Sequence, residues 1–286
     1  MKLNPYHLFL TTAFLAGCAR AHVVPTPTEV PGTVLKKVPG TSVPIKIAPP
    51  SPTIPSEERL EYQISWWGVP VANAVLTAMP VAANDPVRQQ APLRDRRTKN
   101  LVKLTISARS NSYLEAFYPV RVELISLIDS DARSPLRFQA FVKRRWRVHE
   151  STVTFDLVKA TAFHKLPKGR TATVAIQPTT QDGVSLLYYV RTIPFEVGQA
   201  VPLEVSADGK NWSLSGQILR TSIVELRKAG SWPAVEGQVQ LAYPVPFFHG
   251  AKAHVWFSAD GQRIPLLARI RSRIGPVAVV LTKFRR

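Results

Sequence analysis

The 286-residue chain holds one cysteine, two methionines and only 19 acidic residues against 37 Lys and Arg. A lone cysteine excludes an internal disulfide framework and any Cys-rich metal or iron–sulfur site. No uninterrupted apolar run reaches the roughly 18 residues that a spanning helix needs, which excludes a multi-span helical membrane protein. No Gly-x-Ser-x-Gly elbow, Ser-x-x-Lys set, phosphate loop or dinucleotide fingerprint occurs, so the common nucleophile and nucleotide signatures are missing. Hydrophobic residues, by contrast, make up 45% of the chain, prolines number 25 and the formal net charge is +18. That apolar fraction suffices for a sizeable core.

The single cysteine sits in an informative place. Met1-Lys2 is a short basic start, residues 8–15 are mostly apolar, and Leu15-Ala16-Gly17-Cys18 follows. Basic start, apolar middle and small residues at a cut are the layout of a secretory signal. With Cys18 at the cut, the arrangement resembles the lipobox of bacterial lipoproteins. The resemblance implies a signal peptide over 1–17, diacylglycerol on the Cys18 sulfur and a further acyl chain such as palmitate on the new amine. Two or three acyl chains at about 0.8 kcal/mol per buried methylene anchor durably where a short apolar segment cannot span. Ala19 follows the cysteine, where an Asp commonly signals inner-membrane retention. The expected location is therefore the cell envelope, at the outer membrane and facing the periplasm.

Residues 18–56 read as the lipidated cysteine and a Pro-rich tether. Prolines 25, 27, 31, 39, 44, 49, 50, 52 and 55 crowd this stretch. They remove ladder donors and block helix, so extended, solvated chain is expected. Residues 57–286 read as one β-rich domain. Leu60, Tyr62, Ile64 and Trp66 alternate with Glu61, Gln63 and Ser65; Val102, Leu104, Ile106 and Ala108 alternate with Lys103, Thr105 and Ser107. Weaker or shorter runs lie at 122–128, 136–147, 151–156, 171–176, 201–205, 212–220, 235–242, 253–258, 264–274 and 277–284. Period-2 runs between Gly, Pro, Asn and Asp clusters predict antiparallel sheet. Asp208-Gly209 and Asp260-Gly261 have hairpin-turn chemistry.

One segment breaks the period. Thr179 and Asp182 have capping-box spacing, apolar residues recur at Val184, Leu187, Tyr188 and Val190, and Pro194 is a stop. This predicts one helix of about three turns with a buried face. Residues 80–100, with Arg88, Arg94, Arg96, Arg97 and Lys99, read as a mobile basic loop. The expected fold is all-β: a large antiparallel curved sheet, barrel or half-barrel, with one short helix plugging or lidding its open side. Such a sheet can enclose an apolar cavity.

Several pieces also resemble the bacterial family called domain of unknown function 3108. They are Leu60-Glu61-Tyr62-Gln63-Ile64-Ser65-Trp66-Trp67-Gly68-Val69-Pro70, Phe117-Tyr118-Pro119-Val120-Arg121, Ile128-Asp129, and Pro135-Leu136-Arg137-Phe138. Gln181-Asp182, the run from Leu187 to Pro194, Glu196-Val197-Gly198, and the run from Trp256 to Pro265 continue the match. Val122 stands where an acid often follows the Arg, and Gly183 where a Pro often follows the Asp. The resemblance spans about 57–286. It implies a secreted β-rich domain and supplies no catalytic residue.

The basic surplus is the loudest chemical feature. The run from Lys143 to Arg147 lies in a predicted strand, so Lys143, Arg145 and Arg147 share a face, with Arg144 and Trp146 on the other. Arg269, Arg271 and Arg273 form a second stripe. In an exported protein the relevant anions are lipid and lipopolysaccharide phosphates and acidic glycans rather than nucleic acid; a solvated basic face is the alternative. Trp66 and Trp67 are adjacent, so one is expected in the core and Trp67 is a candidate to line a ligand site. Asp182, Arg191 and Glu196 surround the helix, either to orient it or to form a polar rim on a pocket. His149-Glu150 lacks a second His, and His249 and His254 have opposite strand parity, so no metal or other cofactor is expected. Glu61, Asp129, Asp156 and Glu225 are the scattered carboxylates a glycan hydrolase would need paired. The expected function is a lipid-anchored, non-catalytic domain holding a lipid, glycan or other anionic envelope component. The alternative is a scaffold or assembly lipoprotein contacting another envelope protein.

Overall fold

A computed structural model describes residues 33–36, 45–51, 53–55, 57–90, 100–240, 251–272 and 275–285. Cys18, Arg273, His249 and much of the 80–100 loop lie outside them. The elements in chain order are β1 (Thr33–Lys36), β2 (Glu58–Trp66), β3 (Val69–Pro80), β4 (Leu101–Ser110), α1 (Ser112–Glu115), β5 (Val120–Asp129), β6 (Ser134–Arg144), β7 (Arg147–Asp156), β8 (Thr161–Lys165) and β9 (Thr171–Ala175). Then follow α2 (Ser185–Tyr189), β10 (Ala200–Ala207), β11 (Lys210–Leu226), β12 (Gly230–Gln240), β13 (Lys252–Ser258), β14 (Pro265–Ser272) and β15 (Gly275–Arg285). All strands belong to one antiparallel sheet, in the order β1-β11-β12-β13-β14-β15-β2-β3-β4-β5-β6-β7-β8-β9, with β10 pairing β11 off that path. The last strand returns beside β2, with Val279 opposite Ile64. This joins the two ends of the domain through its centre.

The sheet curls back on itself without a closing ladder. The β10–β11 tip meets β8 and β9 through side chains: Gly209 N–H donates to His164 Nδ1 at 3.2 Å, and Asn211 Nδ2 donates to the Ala175 carbonyl. Gln181 adds a single parallel bridge to Val205. Because connections alternate between the ends of an antiparallel sheet, two rims result. One carries the turns at Trp67-Gly68, residues 111–119, Arg145-Trp146 and Asp208-Gly209. The other carries residues 130–133, 157–160, 259–264 and the segment that leads into α2. The helix therefore enters the concave side from the second rim.

The β-rich curved sheet with one short helix matches the sequence reading; several local expectations change. β3 and β8 are strands that the period did not flag, because β3 reads VPVANAVLTAMP, rich in Ala with Pro at both ends. The run 136–147 is not one strand. It is the β6–β7 hairpin, with Arg144 opposite Arg147 and Arg145-Trp146 as the turn. Asp208-Gly209 is a two-residue turn with φ of +52° and +77°, as expected. Asp260-Gly261 instead belongs to a six-residue connection in which Asp260 Oδ1 accepts the N–H groups of Gln262 and Arg263. The helix is one turn and a half of α2 continued by a 3-10 turn over Val190–Thr192. It cannot start at Thr179, because Gln181 is held extended between the N–H of Ser206 and the carbonyl of Glu204.

Part of the Pro-rich segment is packed, not solvated. β1 pairs with the end of β11. Ile54 is buried in the main core, and Ile45 and Ile47 pack on the cluster of Phe195, Val235 and Phe257. The Ala48 carbonyl accepts from the buried Arg263 guanidinium at 3.1 Å. Prolines removed donors here, but the apolar residues between them still gain by burial.

Candidate functional site

The helix is seated by buried polar contacts. Asp182 is fully buried: its Oδ1 accepts the N–H groups of Val184 (2.7 Å) and Ser185 (2.9 Å), and its Oδ2 accepts the Ser126 hydroxyl of β5 at 2.6 Å. Ser185 Oγ accepts the Asp182 N–H in return. This is a reciprocal cap tied to the sheet, three residues later than the spacing suggested. Burial pushes the Asp182 carboxyl up; the Ser126, Ser185 and Val184 donors oppose it. At the far end Arg191 makes a bidentate pair with Glu58 of β2, both contacts 2.7 Å and both side chains buried. Burial alone would lower Arg191, but the Glu58 carboxylate outweighs it and the net direction is upward. The guanidinium also lies over the Tyr188 ring at 5.0 Å. Asp182 and Arg191 thus orient the helix. Glu196 is exposed, in a turn with Gln199.

Cross-strand register identifies which side chains share the concave face with the helix, since paired residues point the same way. Glu58, Leu60 and Tyr62 face α2, with Tyr188 and Val184 in their cluster. Stepping across the ladders, Leu60 pairs with Leu76, Leu76 with Ile106, Ile106 with Leu124 and Leu124 with Ala140. The lower part of this face, near the helix, is fully buried: Leu60, Ala78, Leu104 and Ser126 are at 0% exposure. Toward the rim that carries Trp67 and Trp146, burial becomes uneven: Ser110, Val142 and Arg144 stay buried. Ile64, Ala72, Ile106, Ala108, Leu124 and Val279 are all apolar, inward-facing and only half-buried. The helix covers the lower part of the concavity and leaves an apolar upper part half-buried; the boundary runs obliquely across the strands, since Ile106 and Leu124 share a cross-strand row with the buried Leu60 and Leu76.

That upper half has a basic border on β6 and β7. Arg144 and Arg147 face inward opposite each other, with His149 one inward position along, opposite Val142. Arg144 is buried and Arg147 exposed. Burial pulls the His149 imidazole down, Asp208 of the β10–β11 turn opposes this, and Arg144 adds to it. Deeper in the seam, His164 is pushed to about 4 by burial, against the Asp208 carboxylate. Its Nδ1 accepts from Gly209, so the ring is neutral with its proton on Nε2, 3.1 Å from Ser206 Oγ.

The residues singled out from the sequence are therefore dispersed. Lys143, Arg145 and Arg147 do not form one stripe: Lys143 faces outward, Arg145 sits in the turn with φ +48°, and Arg147 faces inward. The hairpin reverses the chain within the run on which the alternation was counted. Lys143 instead joins a ladder that the sequence did not disclose, Arg109 opposite Arg121 and Arg121 opposite Lys143, across β4, β5 and β6. Glu115 of α1 bridges Arg109 at 3.7 Å and Arg121 at 3.4 Å. Arg269 and Arg271 do share a face of β14, but it is the outer one. There Arg269 lies 5.5 Å over the Trp256 ring, beside Glu236, which binds Arg220 and His254. Trp67 is in the β2–β3 turn, while Trp66 points inward, half-buried.

The scattered carboxylates have separate local partners. Glu61 pairs Arg59 at 3.0 Å, and Asp129 and Asp156 accept turn N–H groups at the helix-side rim. Among the described residues no group of three or more His, Cys, Asp or Glu gathers as a metal site would.

The fold has relatives among solved structures. One is described as a β-barrel-like protein of domain of unknown function DUF1849 from Brucella abortus. It is 8% identical at a TM-score of 0.50, covering 80% of this chain and 97% of its own. A DUF1089-family protein from Pseudomonas aeruginosa is 9% identical at a TM-score of 0.30, over 57% of this chain and 82% of its own. None of the curated proteins matches. A family model described as "Protein of unknown function (DUF3108)" matches residues 61–282. That span runs from the strand facing Arg191 and Tyr188 to the strand that closes against it, and the chain belongs to this family.

Proposed function

We propose that this is a lipid-anchored, non-catalytic binding domain of the outer membrane, facing the periplasm, that holds the acyl portion of an anionic envelope amphiphile in the upper half of its concave face. The observation that carries this reading is the half-buried apolar patch on the inner face. Ile64, Ile106, Leu124 and Val279 are apolar, inward-facing and half-buried above a plug that fully buries Leu60 and Leu104. Apolar surface of this kind gains about 25 cal/mol per Å² when an apolar ligand covers it. Arg144, Arg147 and His149 stand at its border, where an anionic headgroup would emerge. The Cys18 anchor rests on the lipobox resemblance.

The test is native mass spectrometry with lipid extraction on the secreted chain carrying Cys18→Ser, which removes the anchor's own acyl groups. A co-purifying acyl lipid, displaced by replacing Ala108 with Trp, supports the reading. A clean apo mass together with no uptake of a fluorescent fatty acid sinks it. The second reading, a scaffold contacting another envelope protein, draws on the outward stripe of Arg269 and Arg271, which does not border the concavity. Cross-linking from position 271 in intact envelopes addresses it; no adduct there counts against it.

A further inference from the structure

We propose that the rim carrying the β2–β3, β4–β5 and β6–β7 connections docks on an anionic lipid surface. This rim stands apart from the concave face, and an empty concavity leaves the docking untouched. Three consecutive connections at one end of the sheet present large aromatic side chains to solvent: Trp67 at 45% exposure, Tyr113 at 76%, Phe117 at 66% and Trp146 at 76%. They form one continuous strip. Asn111 N–H and its side-chain amide donate to the Val71 and Pro70 carbonyls, tying the β4–β5 segment to the β2–β3 hairpin. On the other side Arg145 donates from its backbone to Pro119 and from Nη2 to the Phe117 carbonyl. Tyr113 and Phe117 are 6.0 Å apart, and the Arg145 guanidinium lies 5.2 Å from both the Tyr118 and Trp146 rings.

Large exposed apolar groups gathered in one place mark an interaction surface. The chemistry of this one is specific. Trp, Tyr and Phe on turn tips suit the headgroup layer of a bilayer, where an amphipathic ring has one apolar and one wet side. Directly behind the tips stand Arg109, Arg121, Lys143 and Arg145, with Glu115 bridging the first two. Like charges placed opposite one another cost stability in the isolated domain. Against a surface of lipid phosphates the same ladder becomes attractive. The tips are also costly as turn residues. Trp67 and Arg145 occupy left-handed backbone at φ +52° and +48°, positions that favour Gly, Asn or Asp. Docked this way, the open half of the concave face, which lies toward the same rim, meets the lipid.

The experiment is flotation of the full chain carrying Cys18→Ser with vesicles of phosphatidylcholine and phosphatidylglycerol at 3:1, against pure phosphatidylcholine. The protein is expected to float with the anionic vesicles. The triple variant Tyr113→Ser, Phe117→Ser, Trp146→Ser is expected to lose at least tenfold in partition. Arg109→Glu with Lys143→Glu is expected to abolish the preference for anionic lipid. Thermal unfolding of each variant controls for folding. Should the triple variant not fold, quenching by brominated lipid replaces it: Trp146→Phe alone is expected to remove a measurable part of the quenching. Equal partition of the folded triple variant, quenching unchanged by Trp146→Phe, or binding to native membranes but not to protein-free vesicles each overturns the proposal. The last outcome points to a protein partner.

Discussion

The two halves of the concave face are built from the same strands and differ in what covers them. In the lower half, α2 and its polar seats close over Leu60, Leu76 and Leu104, and exposure falls to a few per cent or less. In the upper half, Ile64, Ile106 and Leu124 continue the same ladders with nothing of this chain fully over them among the described residues. Strands β2, β4 and β5 carry largely apolar inward residues, yet these are fully sealed over only part of the face. The lower part specifies the fold; on the proposed function, the upper part keeps apolar surface available to a ligand.

That contrast can be broken from the lower side first. Glu58→Gln leaves the Arg191 guanidinium buried without its carboxylate. Removing one partner of a buried pair costs about 3–5 kcal/mol, so urea unfolding is expected to show a drop of that order; a loss below 1 kcal/mol would mean the pair does not seat the helix. A matched leucine pair sharpens the comparison. Leu104→Ala, fully buried, is expected to cost about 2–5 kcal/mol. Leu124→Ala, half-buried in the upper half, is expected to cost clearly less in unfolding free energy while weakening fatty-acid uptake. Equal costs would erase the distinction between the halves.

The seam offers a smaller, pH-dependent effect. The folded-state pKa of His164 is about 4, below its free value of 6.5. The neutral ring is therefore the folded form, and the stability it contributes is complete above pH 6.5 and lost as pH falls toward 4. The unfolding midpoint is expected to decline across that window, and His164→Gln to decline less; parallel curves would remove His164 from the account. The smallest effect concerns the outer face. Lys143→Glu converts a like-charge contact with Arg121 into an attractive one. It is expected to stabilise the domain by about 0.2–1 kcal/mol at low salt, fading as salt rises; a net loss in stability would show that the ladder carries no repulsion.

Much of the architecture was legible because period-2 patterning is a local signal. β2 and β4 alternate openly, and the break at Val184 to Val190 announced the helix. β3 was hidden because Ala, Asn and Pro are weak strand formers, and only pairing with β2 and β4 on both edges makes it one. The reversal at Arg145-Trp146 was hidden for the opposite reason: neither residue is a turn former, so nothing in the run marks the hairpin. The upper half of the cup and the ladder of Arg109, Arg121 and Lys143 depend on register between strands, which no single segment encodes. Arg191 was noticed, yet its partner Glu58 lies 133 residues away. The Cys18 and Arg273 expectations fall outside the described residues.

Gly275 contributes no side chain, yet it shapes the rim. A Cβ there would lie 2.1 Å from the Trp67 Nε1 and 2.3 Å from its Cε2. The indole rests in the space that only glycine leaves, at a backbone φ of +116° that other residues resist. Trp67 is for that reason a fixed peg rather than a swinging arm. Ordering a rotamer-rich side chain on binding costs about 0.5–1.5 kcal/mol. The strand turn beside Trp67 has met that cost during folding, so in the proposed docking the tip would meet the lipid already arranged, and the smallest residue at the rim sets how its largest one is presented.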